Sequence, residues 1–152
     1  MKYIKGLFLS IIVCLSFSSC KEEVGLPDNG TPNNPEVASA GTYVGTWTRT
    51  STTGEELTAD GSITLTADDR YVTTVTISCP DIEAIDNLSS RANISQNALG
   101  YGFLNRLTEN GLAAPFTGLI TSDFVGTMNF KKTVRDGRKS VTYTFDFNGE
   151  KQ

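Results

Sequence analysis

The chain contains no histidine. That removes the commonest general base, the Ser-His-Asp and Cys-His nucleophile pairs, and histidine-ligated zinc. No Gly-rich phosphate loop and no His-Glu-x-x-His helix occurs either. Neither enzymatic activity nor a cofactor is therefore expected. A continuous apolar run of about 20 residues, the length of a bilayer span, is also missing. The longest such run, Gly6 to Phe17, follows Lys2 and Lys5 and stops at small residues, as in a secretory signal. Basic excess is absent as well. With the signal removed, 11 basic residues face 17 acidic ones, a formal balance of −6 that speaks against nucleic acid as a partner.

Cysteine is scarce, and the three present sort by position rather than by pairing. Cys14 leaves with the signal, Cys20 stands at the cleavage point, and Cys79 alone remains inside the globular part, so no disulfide framework is available. Cys79 ends an apolar alternation before Pro80 and reads as a small buried hydrophobe.

Ser16-Phe17-Ser18-Ser19-Cys20 resembles a bacterial lipoprotein lipobox, with Phe17 where Leu is usual. The resemblance implies cleavage before Cys20 and thioether lipidation of its thiol. Lys21-Glu22-Glu23 resembles the Lys-plus-acidic signal that sends lipoproteins to the cell surface in Bacteroidota-type envelopes; the plain alternative is a solvated charge run. The location this implies is the outer membrane, lipid-anchored and facing outward. The domain reading is residues 1–19 as signal peptide, 20–40 as lipidated Cys and tether, and 41–152 as a β domain. Pro27, Pro32, Pro35, Asp28-Asn29-Gly30 and Asn33-Asn34 give the tether turns and little to bury. Its seventeen residues from Val24 to Ala40 would reach about 50 Å extended and about 23 Å as a coil.

From Gly41 onward, period-two patterns predict strands. Tyr43, Gly45 and Trp47 share one face; so do Ile63 and Leu65; Tyr71, Thr73, Val75 and Ile77; Phe124, Gly126, Met128 and Phe130; and Val141, Tyr143, Phe145 and Phe147. Turns are expected at Ala59-Asp60-Gly61, Ala67-Asp68-Asp69-Arg70 and Arg135-Asp136-Gly137-Arg138, and Pro115 to Thr121 reads as a further strand. Between residues 81 and 111, Ile82, Ile85 and Leu88 recur at three, and Leu99, Phe103 and Leu107 at four. This predicts a short helical insert stopping at Asn110-Gly111. The fold class is thus all-β, an antiparallel meander of six to eight strands.

Gly45-Thr46-Trp47 resembles the Gly-x-Trp signature of lipocalin and calycin-like barrels, in which the Trp closes the barrel floor. Ile63 to Tyr71 resembles the second hairpin of small extracytoplasmic lipocalin-like domains, and Thr121-Ser122-Asp123-Phe124 loosely resembles their Thr-Asp-aromatic motif. The resemblance implies a barrel that binds a small hydrophobic ligand or a glycan, with Tyr71, Val75, Phe130 and Tyr143 as ligand-lining residues. The same aromatic face could instead fill the core of a protein-interaction module with an envelope partner. Two clusters remain. Asp81, Glu83 and Asp86 could share calcium or solvate a helix face, and no metal site is assigned to them. Lys131, Lys132, Arg135, Arg138 and Lys139 make a basic hairpin end, suited to an anionic group or to blunting an edge.

Overall fold

The computed structural model describes residues 34–105 and 115–152. They form one short helix, α1 (Pro35–Ala38), and eight strands: β1 (Gly41–Ser51), β2 (Glu56–Asp69), β3 (Val72–Ser78), β4 (Ser89–Asn97), β5 (Gly100–Asn105), β6 (Phe116–Thr121), β7 (Val125–Asp136) and β8 (Lys139–Lys151). Every strand pairs antiparallel with the next, and β1 pairs with β8, which closes the barrel. The expected all-β antiparallel meander is the observed fold, at the upper end of its strand count.

Closure is written in four glycines that lie side by side in register, Gly61, Gly45, Gly149 and Gly126, on β2, β1, β8 and β7. A Cβ at Gly45 would stand 2.0 Å from the carbonyl oxygen of Asn148, and one at Gly149 would stand 2.6 Å from that of Val44. Only bare backbone lets these strands approach and bend so sharply, as barrel corners require. The same gap accepts aromatic rings, because Trp47 Cδ1 lies 2.8 Å from where a Cβ of Gly61 would be.

Alternation then sorts the side chains. Tyr43, Trp47, Ile63, Val75, Ile77, Ala92, Phe103, Ile120, Met128, Phe130, Phe145 and Phe147 point inward and are buried. Threonines and serines dominate the outer wall and bond across strands, Thr42 to Thr64 at 3.1 Å, Thr76 to Ser89 at 3.1 Å and Thr133 to Thr142 at 2.9 Å. A transmembrane barrel carries an apolar band outward; this wall carries mostly hydroxyls.

The two rims are closed differently. At the near rim, where β1 begins, α1 packs against the barrel. The buried carboxylate of Glu36 accepts the N–H of Tyr71 at 3.1 Å, and Tyr43 donates its hydroxyl to the Ser39 carbonyl at 2.7 Å. Residues 34–40, read from sequence as the end of the tether, are thus part of the barrel's packing. At the far rim, residues 79–88 fold inward through successive turns, with Ile82 and Ile85 fully buried and Leu88 packed beside them.

That loop corrects the helical insert expected over 81–111. The three-residue spacing marked a real inward face, but tight turns present residues i and i+3 to one side just as a helix does. Beyond it the chain is the β4–β5 hairpin, where Phe103 is buried while Leu99 is exposed, so their shared face does not exist. Leu107 and Asn110-Gly111 lie outside the described residues. The turn expected at residues 59–61 is strand, because Gly61 is needed under Trp47; the chain reverses instead at residues 52–55, where Ser51 Oγ accepts the Glu55 N–H at 2.9 Å.

Candidate functional site

Of the four residues expected to line a ligand site, two lie in a packed core. Phe130 stacks on Phe145 at 5.0 Å between centroids and meets Trp47 edge-on at 5.9 Å, while Phe147 lies 5.1 Å from Trp47. Val75 is fully buried opposite Leu65. Tyr143 is half-buried towards the far rim, 6.3 Å from Phe145, with the Arg49 guanidinium 4.9 Å above its ring. Tyr71 is not inside at all. It occupies the β2–β3 turn at the near rim with φ of 60° and an exposed ring. The four therefore do not converge on one pocket, and Trp47 contributes one unusual feature, an indole N–H with no hydrogen-bond partner.

The far rim shows what the carboxylates and one lysine do. Asp86 accepts the Cys79 N–H at 2.7 Å and the Asn87 amide at 2.5 Å, so it staples the plug loop shut. Asp81 and Glu83 are exposed, and no cluster able to hold a metal ion occurs among the described residues. Lys132, from the basic hairpin, turns inward and donates to the Ala84 carbonyl at 2.6 Å, while Lys131, Arg135, Arg138 and Lys139 stay exposed. Burial pushes the Cys79 thiol up; a hydrogen bond from the Ile82 backbone opposes it, and the Asp81, Asp86 and Asp60 carboxylates each add a smaller upward push. A thiol held protonated is a poor nucleophile.

An open groove, its lining more apolar than polar, runs along the outer wall instead. Two adjoining open depressions of about 440 and 330 Å³ share Thr117 and Asn129. Leu119 gives the larger one an apolar patch; Thr127, Asn129, Asp146 and Asn148 give it polar groups from β7 and β8. Asn129 donates its side-chain amide to Asp146 directly across the ladder, which ties together two of the residues lining the groove. Sequence reading missed these residues because it followed the inward positions; the signal was the run of Asn, Asp and Thr at the alternate ones.

Comparison with family models, with curated proteins and with solved structures finds no match to this chain. Cys20, Lys21, Glu22 and Glu23 lie outside the described residues.

Proposed function

We propose that the chain is a lipid-anchored, surface-exposed outer-membrane lipoprotein with a lipocalin-like barrel, that its barrel is a filled scaffold, and that it binds a glycan on the outer wall without doing chemistry. The observation that carries this reading is the interlocked set Trp47, Phe130, Phe145 and Phe147, whose rings pack against one another inside the barrel. Binding therefore falls to the wall. Fixed amide and carboxylate acceptors beside threonine hydroxyls and a small apolar patch suit sugar hydroxyls, whose hydrogen bonds come in dense, directional sets. The anchor reading rests on Ser18-Ser19-Cys20 and on the export-type residues Lys21, Glu22 and Glu23.

Calorimetric titration against a panel of envelope and host polysaccharides tests the wall. Asp146→Ala or Asn129→Ala should weaken binding about tenfold, the loss expected for one charge-assisted hydrogen bond of about 1.4 kcal/mol. Affinities unchanged in both variants would refute the groove. The packed aromatic set equally favours a second reading, an accessory module for another envelope protein; a stable partner retained by both variants would support it.

A further inference from the structure

The near rim carries a crown of exposed apolar tips. Val37 on α1, Tyr71 in the β2–β3 turn, Leu99 in the β4–β5 turn and Phe124 in the β6–β7 turn are 60, 45, 69 and 44% exposed. Each connection reaching this rim thus ends in one large apolar side chain facing outward.

Backbone conformation makes the two aromatics harder to attribute to the fold. Among the described residues, three that are not glycine have positive φ: Asn87, for which this is ordinary, and Tyr71 and Phe124, at 60° and 59°. A bulky residue in the left-handed region is strained, and Gly or Asn would serve either turn better. Strain retained at an exposed position points to a use outside the fold. Each aromatic also has a cation on its ring, Arg70 at 5.1 Å from Tyr71 and Lys151 at 4.8 Å from Phe124. An aromatic ring with a cation beside it matches the headgroup level of a bilayer, where rings sit among acyl ends and cations meet phosphates.

We propose that this rim docks on the lipid surface, with Tyr71, Leu99 and Phe124 entering the interface and Arg70 and Lys151 contacting headgroup phosphates. The proposal rests on the anchor reading for its orientation. Thirteen residues, 21–33, separate Cys20 from Asn34, and they can span at most about 45 Å. Because α1 sits on this rim, the segment that leads back to Cys20 joins the barrel at this end. A handful of apolar tips binds a bilayer weakly alone, and the anchor supplies the second signal that stable attachment needs. The far rim and the wall groove would then face away from the lipid.

The full chain, purified from the membranes of an expressing bacterium, provides the test, with intact mass reporting whether Cys20 is acylated. Leu99→Trp and Phe124→Trp place reporters on the rim, and Leu104→Trp places one on the barrel wall; the wild type supplies the Trp47 background. Each is added to excess vesicles of phosphatidylethanolamine and phosphatidylglycerol, with and without brominated acyl chains. The rim reporters should shift to the blue and lose emission to brominated lipid, while the wall reporter should not. Equal responses at rim and wall would overturn the proposal. So would a blue shift at Leu99→Trp that grows with protein concentration in the absence of lipid, which would give the rim to a second copy of the chain. A mass without acyl chains would refute the anchor reading, and the rim-to-wall contrast on the same vesicles would still decide the rim.

Discussion

Single residues in this barrel carry tasks that their neighbours in sequence do not disclose. Tyr43 is a case. Its ring is buried, and its hydroxyl ties β1 to Ser39 beneath α1. Burial, with a smaller contribution from Tyr101, pushes its pKa up to about 12 from the ordinary 10. The raised value means the folded state favours the protonated phenol. Its contribution to stability is complete below pH 10 and disappears as pH rises from 10 towards 12. Denaturation midpoints should fall across that window in the wild type. Tyr43→Phe should lose about 1 kcal/mol at neutral pH, with the hydroxyl's hydrogen bond, and show a flatter alkaline decline. An unchanged alkaline slope in that variant would remove Tyr43 as the cause. Phe124 makes the opposite case, since its side chain is exposed at the rim and its backbone is strained. Phe124→Asn should leave stability unchanged or raise it by up to about 1 kcal/mol in thermal or chemical denaturation. A clear loss would mean that the ring serves the fold after all.

At the scale of elements, the strands with bulky inward residues were the legible ones. β1, β7 and β8 alternate aromatic and aliphatic side chains against threonines, and their pairing follows from that pattern. β4 was illegible for a physical reason: its inward residues are Ser90, Ala92 and Ile94, two of them too small to produce a period-two signal. The site was legible only in part. The sequence exposed the aromatic face but not whether it enclosed space, because that depends on how strands related only by register bring Phe130, Phe145 and Trp47 together. The plug loop shows how an element without regular structure is held. Asp86 accepts hydrogen bonds from both ends of the turn series, so Asp86→Ala leaves the Cys79 N–H without its partner. That should cost about 1 to 3 kcal/mol. Hydrogen exchange should localise the loss to residues 79–88, and a uniform increase across the barrel would contradict the stapling role.

For the whole molecule, we assign the inside to the core and propose that binding falls to the outside. A domain of this size needs most of its apolar surface for stability. The glycine row that lets the wall curve tightly also brings Trp47, Phe147 and Phe130 into contact, so closing the barrel and filling it are one structural act. On that proposal the groove of β6 to β8 would serve a ligand and the apolar near rim the lipid. Chemical denaturation of Phe130→Ala tests that division most directly. Removing a ring that stacks on Phe145 and abuts Trp47 should cost about 3 to 5 kcal/mol through lost burial and a residual void. A loss of about half that or less, accompanied by binding of a hydrophobic dye to the wild-type interior, would mean that the barrel is a ligand cavity and contradict the account.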